Sequence, residues 1–310
     1  MAHSFEHIPV LRDDVVSLFA PVPAGVLVDA TVGGGGHSEA LLEAHDGLYV
    51  VGLDRDAVAL AAAGERLARF GDRVHLLHAP FAELASVTSG PLVGVLFDLG
   101  VSSPQLDEAD RGFSFRSDAA LDMRMDQSMG ATAAELANEM SERDLARLFR
   151  ENGEDRLAGR IAHAVVGARP IVSTMQLADV VASAVPAAVR RKGHPARRVF
   201  QALRIAVNDE LGQLAAALPV ALARLVVGGR CAVISYHSGE DRLTKQTFVQ
   251  ASTGGCVCPP GLPCVCGAVV EYELVYRGAR KASAAEVEAN RRAESARLRA
   301  IVRTVRTEVA

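Results

Sequence analysis

Short apolar runs alternate with polar, alanine-rich segments over the first hundred residues of the chain. The apolar runs are Val26–Asp29, Leu48–Leu53, Val74–Leu77 and Val93–Leu99. The segments Ser38–Ala44 and Ala57–Phe70 have helical spacing. The alternation predicts a parallel sheet covered by helices on both faces, where ligands bind beyond the carboxyl ends of the strands. Asp29, Asp54 and Asp98 fall at those ends.

The alternation stops between about Asp107 and Arg198, where we find helix signals and no convincing strand. The helical segments are Thr132–Leu136, Ser141–Phe149, Ser173–Val185 and Val199–Leu225. Strand patterns return at Gly229–Tyr236 and Val269–Tyr276, whereas Arg297–Val305 fits a strand or a helix. We therefore predict an α/β domain at 1–107 and 205–310, with an inserted all-helical substrate-recognition domain at 108–204.

The four glycines Gly33–Gly36 lie between the first apolar run and a helical segment. A P-loop would need Lys and Ser or Thr where His37 and Ser38 stand, and a dinucleotide loop would need glycine at Ser38. S-adenosylmethionine (SAM) needs only close backbone approach, and Asp54, about 20 residues on, can accept the ribose hydroxyls. The loop favours SAM, although a flexible turn is the simplest alternative.

LFDLGVSSPQ, at Leu96–Gln105, places Asp98 at a strand end and follows it with a turn, Ser102, Ser103 and Pro104. An exocyclic base amine is a poor nucleophile because its lone pair is conjugated to the ring. A carboxylate and a turn carbonyl that accept its hydrogens would free the lone pair and align it for transfer. We therefore predict catalytic roles for Asp98 and the turn, while a solvated strand-end acid remains the alternative.

Several segments in the same order resemble the RsmH (MraW) family, SAM-dependent methyltransferases that modify N(4) of a cytidine in the decoding centre of small-subunit rRNA. The matching segments are His7–Leu11 (HIPVL), Asp29–Ser38 (DATVGGGGHS), Leu53–Asp56 (LDRD), Pro80–Phe81 (PF), Leu96–Asp107 (LFDLGVSSPQLD), Arg111–Asp126 (RGFSFRSDAALDMRMD), His194–Leu211 (HPARRVFQALRIAVNDEL) and Gly228–Arg242 (GGRCAVISYHSGEDR). They span nearly the whole chain. Arg291 and Glu294 depart from the family pattern, which weakens any RNA-binding role for 290–300.

The resemblance implies a class I SAM methyltransferase fold, Rossmann-like with a mostly parallel sheet and an inserted helical domain, and makes Arg297–Val305 its last strand. It also implies cofactor contacts at Gly33, Gly35, Gly36, His37, Asp54, Phe81, Asp98 and Gln105.

A net charge of -4 means that RNA would be held by a local basic patch rather than by the whole surface. We predict RNA contacts at Arg111, Phe113, Phe115, Arg190, Arg191, Lys192, His194, Arg197 and Arg198. The phenylalanines could stack on an extruded base, or pack a domain junction. The basic run could bind phosphates, or be a solvated loop.

Two further motifs leave alternatives open. His237, in SYHSGED, counts among the predicted catalytic residues as a contact to the base or phosphate, although transfer does not require it as a general base. CVCPPGLPCVCG carries Cys256, Cys258, Cys264 and Cys266, which fit a zinc site, a thiol-rich surface loop or disulfides. We assign no metal ligand to the active site.

The N-terminal segment and the length of the apolar runs narrow the expected class of protein. The N-terminus lacks the features of a signal peptide, and no apolar run reaches about 18 residues, so we expect a cytoplasmic enzyme without a membrane partner. We predict methylation of a cytidine N(4) in 16S rRNA, within the small ribosomal subunit, and leave a homodimer open. An NAD-dependent dehydrogenase and an assembly factor that holds SAM only structurally are the competing hypotheses.

Overall fold

The computed structural model describes residues 9–102, 105, 108–152, 156–191, 193–259 and 264–308. Contacts between Cα atoms divide them into two compact units. The sheet unit comprises the described residues up to Gly100 and from Leu211 onward, and the helical unit runs from Val101 to Glu210. The predicted insert, 108–204, falls inside the helical unit. Its predicted boundaries stay predictions.

A seven-stranded sheet organises the sheet unit. Its strands are β1 (Gly25–Asp29), β2 (Leu48–Asp54), β3 (Val74–His78), β4 (Leu92–Asp98), β5 (Leu225–Ser235), β6 (Val269–Leu274) and β7 (Arg297–Glu308). The spatial order is β3-β2-β1-β4-β5-β7-β6. Strands β1 to β5 pair in parallel, and β7 is antiparallel to both of its neighbours, β5 and β6. The predicted α/β fold with a mostly parallel sheet is confirmed, and 297–305 belongs to a strand.

Helices cover both faces of this sheet because successive strand residues point to opposite sides. Leu27 packs in one hydrophobic core and its neighbour Val28 in the other, and Leu96 and Phe97 divide in the same way. The helices among the described residues include α1 (Arg12–Phe19), α2 (Gly36–Ala44), α3 (Ala57–Leu67), α4 (Leu84–Val87), α5 (Ala133–Glu139), α6 (Glu142–Glu151), α7 (Ala158–Gly167), α8 (Thr174–Ala184), α9 (Ala187–Arg190), α10 (Ala196–Asn208), α11 (Glu210–Arg224), α12 (Ser238–Ser252) and α13 (Ala284–Ala289).

The helical unit has a hydrophobic core of its own, which includes Phe149 and Ile161. Thr132 caps α5 in the predicted way, since its hydroxyl accepts from the backbone N–H of Glu135 and the Glu135 carboxylate accepts from that of Thr132. Among its described residues the only β-type pairing is an isolated bridge between Ala120 and Ser173. The sequence predicted no strand in this region, and that prediction is confirmed for the described residues.

The prediction of one continuous helix over Val199–Leu225 is wrong. Asp209 takes a left-handed conformation, with φ 47° and ψ 41°, and separates α10 from α11. A left-handed residue ends an α-helix, and aspartate tolerates that conformation better than most residues. Over the described part of the chain, no helix is both long enough and apolar enough to cross a bilayer.

Candidate cofactor and active site

Three aspartates end neighbouring strands at one edge of the sheet. Asp29 ends β1, Asp54 ends β2 and Asp98 ends β4. The strand order places β1 between the other two, and Asp29 pairs with Gly52 of β2 and Leu96 of β4. Since parallel strands end on the same side, the register brings the three carboxylates to the edge where sheets of this type bind ligands.

The glycine loop after β1 splits into an open half and a packed half. Gly33 has a φ of +51°, and a Cβ at Gly34 would meet no atom of the described residues within 4 Å. Gly35 has a φ of +82° and caps α2, and a Cβ there would lie 3.2 Å from Leu67. A Cβ at Gly36 would lie 2.7 Å from Pro9. Gly33 and Gly34 therefore form the half of the loop that a ligand can approach.

Asp54 holds the loop and the turn after β2 at the same time. One carboxylate oxygen accepts a 2.9 Å hydrogen bond from the N–H of Gly33, and the other accepts one of 2.9 Å from the N–H of Asp56. Burial raises the pKa of Asp54 to about 6, although these hydrogen bonds act in the opposite direction. Asp54 thus carries an ionisable carboxylate next to the open half of the loop.

The sequence did not identify the partnership of Asp29 with Ser38. The Ser38 hydroxyl donates a 2.7 Å hydrogen bond to Asp29, and both residues are buried. Burial raises the pKa of Asp29, and the Ser38 hydrogen bond partly offsets this effect. Ser38 occupies the position where a dinucleotide loop has glycine, and its hydrogen bond ties α2 to the end of β1.

Asp98 lies in a set of polar side chains drawn from three segments of the sheet unit. Its Oδ1 accepts a 2.8 Å hydrogen bond from the Tyr236 hydroxyl, and its backbone N–H donates one of 2.6 Å to the Thr31 hydroxyl. Nε2 of His37 lies 3.4 Å from Oδ2, without the angle of a hydrogen bond. Burial raises the pKa of Tyr236 well above its usual value, and the Asp98 charge adds to this, so Tyr236 stays a donor.

Tyr236 and Thr31 were missed by sequence reasoning. Tyr236 follows the end of β5, and only the register that pairs Asp98 of β4 with Ile234 of β5 brings it to the carboxylate. His37 is buried, and neither ring nitrogen has a hydrogen bond among the described residues. A buried imidazole without a partner is costly unless a ligand supplies one.

His237 caps α12 through its side chain. Its Nδ1 accepts from the backbone N–H groups of Gly239 at 3.2 Å and Glu240 at 3.4 Å. The Glu240 carboxylate accepts from the N–H groups of Tyr236 and His237, which completes a capping box. This geometry requires an unprotonated Nδ1 and gives His237 a structural task that the sequence did not predict.

Phe81 lies just past β3 and is partly exposed. Its ring meets the buried ring of Phe97 edge to face, with centroids 5.7 Å apart. An aromatic wall of this kind can bind the flat face of a purine.

The predicted catalytic turn and Gln105 belong to the helical unit. The Gln105 side-chain oxygen accepts a 3.0 Å hydrogen bond from the N–H of Ser102. The Ser102 hydroxyl is buried without a hydrogen bond among the described residues. Ser103 and Pro104 lie outside the described residues.

Two of the predicted RNA contacts are internal to the helical unit. Arg111 is buried, and its guanidinium donates to the backbone carbonyls of Arg124 and Met125. Phe113 is buried in the hydrophobic core. Neither side chain presents its functional group to solvent, so their geometry supports the packing alternative rather than RNA contact.

The remaining predicted contacts, apart from Phe115, lie in one basic run of the sequence, and its described side chains are exposed. We name it the basic surface, and its described members are Arg190, Arg191, His194, Arg197 and Arg198. Lys192 lies outside the described residues. Phe115 stacks on the ring of His194 with centroids 4.4 Å apart, and it meets Phe200 edge to face. The Phe115 ring is therefore engaged within the helical unit.

Comparison with known proteins gives matches over nearly the whole chain. A family model described as the MraW methylase family matches residues 4–304. A protein from Heliobacterium modesticaldum, named ribosomal RNA small subunit methyltransferase H, is 50% identical and covers 96% of this chain and 98% of its own. A protein of the same name from Symbiobacterium thermophilum is 52% identical over 97% of both chains. A solved methyltransferase structure from Streptococcus mutans, in complex with SAH, aligns with 12% identity and a TM-score of 0.46 over 96% of this chain and 99% of that chain.

Proposed function

The chain belongs to the MraW methylase family, and we propose that it methylates the exocyclic N(4) amine of a cytidine in the decoding centre of 16S rRNA. Membership of this family confirms the prediction that the chain is a methyltransferase with SAM as its methyl donor. Methylation of rRNA is supported by relatives that are 50% and 52% identical to this chain over nearly its full length. The target atom and its place in the ribosome are the proposal.

The hydrogen bonds around Asp98 support an amine as the acceptor of the methyl group. Tyr236 occupies one carboxylate oxygen, which leaves the second oxygen, near His37, to accept a hydrogen from an incoming amine. Accepting that hydrogen frees the nitrogen lone pair, so that nitrogen can form its bond to the methyl carbon while the carbon–sulfur bond breaks. The nitrogen then loses a proton, which water can take.

The residues at the strand ends fit SAM. The ring nitrogens of buried His37, which form no hydrogen bond among the described residues, and the open backbone at Gly34 are features that a polar ligand would satisfy. Asp54 would accept from the ribose hydroxyls, Gly33 and His37 would contact the methionine portion, and Phe81 would flank the adenine. When bound, SAM supplies an electrophilic methyl group. Gly35 and Gly36 are packed against protein and would contribute only backbone atoms.

The basic surface supports binding of the rRNA backbone. Arg197 and Arg198 lie in the first turn of α10, where the helix dipole is already positive. Cations at this end lower helix stability, but two exposed guanidinium groups beside the positive end of a helix favour a bound phosphate. We propose that this surface holds rRNA within the small subunit, in the cytoplasm. A homodimer stays a prediction.

Labelled SAM offered in parallel to deproteinised rRNA, small subunits and DNA tests this proposal. We expect label on RNA in small subunits, recovered as N(4)-methylated cytidine after digestion. Label on another nucleoside, or only on DNA, would contradict it. Asp98→Ala should transfer no label while the chain still folds, and wild-type transfer with this variant would remove Asp98 from the mechanism.

A further inference from the structure

Four cysteines cluster in the loop between α12 and β6, away from the proposed reaction. We propose that Cys256, Cys258, Cys264 and Cys266 bind one Zn²⁺ ion as four thiolates. All four Sγ atoms lie within 4.8 Å of one another. The fifth cysteine, Cys231, is buried in β5 and takes no part.

The spacing of the sulfur atoms matches a tetrahedron around zinc. Four of the Sγ–Sγ distances are 3.6 Å (Cys256–Cys264), 3.9 Å (Cys258–Cys264), 3.4 Å (Cys264–Cys266) and 3.7 Å (Cys256–Cys266). A zinc–sulfur bond of about 2.3 Å gives tetrahedron edges of about 3.8 Å. Two disulfides would instead bring sulfurs together in pairs at about 2.05 Å, and these four described cysteines are free.

The backbone of the loop is arranged to support charged sulfur. The N–H of Val265 donates to Sγ of Cys258 at 3.4 Å. The N–H groups of Val257 and Ala268 donate to Sγ of Cys266. Such donors stabilise thiolates and orient metal ligands. They come from residues next to the ligands, so the fold of the loop and the position of the sulfurs are linked.

The described parts of the loop bury little apolar surface that could hold this fold. Val257 and Val265, the residues between the two cysteines of each pair, are 85% and 90% exposed. Both pairs therefore turn their sulfurs toward one another and their valines toward solvent, the reverse of a hydrophobic core. A small segment without a core needs another source of stability, and a structural metal supplies one.

The type of ligand selects the type of metal. Four thiolates in tetrahedral array suit Zn²⁺ or iron, and disfavour Mg²⁺ and Ca²⁺, which prefer oxygen. Four protein ligands also leave no open position for water or substrate, as in structural zinc sites. We therefore assign zinc a structural role.

The position of the cluster agrees with that role. Helix α12 has 15 residues, so it is about 22 Å long. His237, near the proposed reaction, precedes its first residue, and the cysteine loop follows its last. Zinc would fasten the end of α12 to the start of β6, at the far end of the helix from Asp98.

Metal analysis of the full chain, purified with reductant and without added chelator, tests this proposal. We expect one zinc per chain, released when a mercurial reagent blocks the thiols. Replacement by Co²⁺ should give the visible and thiolate charge-transfer bands of a tetrahedral sulfur site. Cys264→Ser should lose the metal and the bands, while the matched control Cys231→Ala keeps both.

Stability and SAM binding give independent readouts. Zinc removal should lower the melting temperature, and zinc should restore it, while SAM affinity changes less than about twofold. A native protein whose four loop thiols react with a thiol reagent but which binds neither zinc nor cobalt would overturn the proposal, as would iron in place of zinc. Because that measurement uses the native chain, a Cys264→Ser protein that fails to fold does not affect the test.

Discussion

The hydroxyl of Tyr236 donates a 2.8 Å hydrogen bond to Oδ1 of Asp98. Strands β4 and β5 are neighbours, and Asp98 pairs with Ile234, so the tyrosine two residues after Ile234, just past the end of β5, reaches the carboxylate. This bond fixes one carboxylate oxygen and leaves the other for the substrate. Tyr236 is thus a positioning residue for the proposed reaction.

Tyr236→Phe should lower kcat for methyl transfer while leaving the affinity for SAM nearly unchanged. A hydrogen bond to a charged group contributes about 1.5–3 kcal/mol, which corresponds to about a 10- to 160-fold change in rate. The matched control is Tyr272→Phe, since the Tyr272 hydroxyl donates to the Leu222 carbonyl in the same unit. Equal rates for both variants in single-turnover transfer would rule out the positioning role.

SAM affinity should depend on pH through Asp54. Its pKa, raised to about 6, means that the proposed ribose acceptor becomes protonated below that pH, so the Kd for SAM should rise as pH falls. Titration calorimetry between about pH 5 and about pH 8 measures the effect. Asp54→Asn should bind SAM more weakly with a flatter profile. The same slope in both proteins would assign the dependence to another group.

Asp54 should make the folding stability of the SAM-free protein fall as pH rises, whereas it should make the affinity for SAM increase. Because its pKa is raised above the usual 3.8, the folded chain binds this proton more readily than the unfolded chain. The Asp54 contribution is fully present below about pH 4 and is lost as pH rises through about 6. Urea unfolding of the wild type and Asp54→Asn over this range should reveal the difference.

Alanine at two adjacent glycines should separate folding from ligand contact. Gly35→Ala should destabilise the fold by about 1–2 kcal/mol, because a left-handed conformation is unfavourable for alanine and its Cβ would crowd Leu67. Gly34→Ala should leave the melting temperature unchanged and weaken SAM binding, since its Cβ would enter open space. Unchanged SAM affinity in Gly34→Ala would move the ligand away from this half of the loop.

Substitutions of His237 should separate its capping task from chemistry. His237→Asn should keep the fold and measurable methyl transfer, because asparagine is a good helix cap and the amine needs no imidazole base. His237→Ala should lose about 1 kcal/mol of stability through loss of the cap. An Asn variant that is folded and binds RNA, but transfers nothing, would make the imidazole essential to the reaction.

Removing charge from the basic surface should weaken RNA binding through its salt dependence. Replacing Arg197 and Arg198 by Gln should reduce the slope of log K against log salt by about 1.4 if each contacts one phosphate of single-stranded RNA. Arg160→Gln, at an exposed position in α7, is the control. An unchanged slope in filter binding of the double variant would place the RNA elsewhere.

Local interactions were the most accessible to sequence reasoning. The caps of α5 and α6 were predicted because Thr132 and Ser141 bond to backbone N–H groups three residues away, at Glu135 and Asp144. The three strand-end aspartates followed from the alternation of strands and helices. The break at Asp209 was missed because a single left-handed residue does not interrupt the apolar periodicity.

Partnerships between distant segments required the structure. Asp98 and Tyr236 are 138 positions apart, and only the register of β4 and β5 brings them together. Arg297–Val305 fits a helix or a strand by pattern, and pairing with β5 and β6 on both sides makes it a strand. Arg111 looks like a phosphate ligand in the sequence, but its guanidinium satisfies buried carbonyls.

The hydrogen bond from the N–H of Gly33 to the carboxylate of Asp54 lies wholly within the protein. This bond restrains the glycine loop through the chain itself, so the restraint does not depend on contacts from SAM. Preorganisation of this kind lowers the entropic cost of binding and favours rapid, one-step capture. The enzyme can then exchange its spent cofactor for a fresh one without refolding the loop.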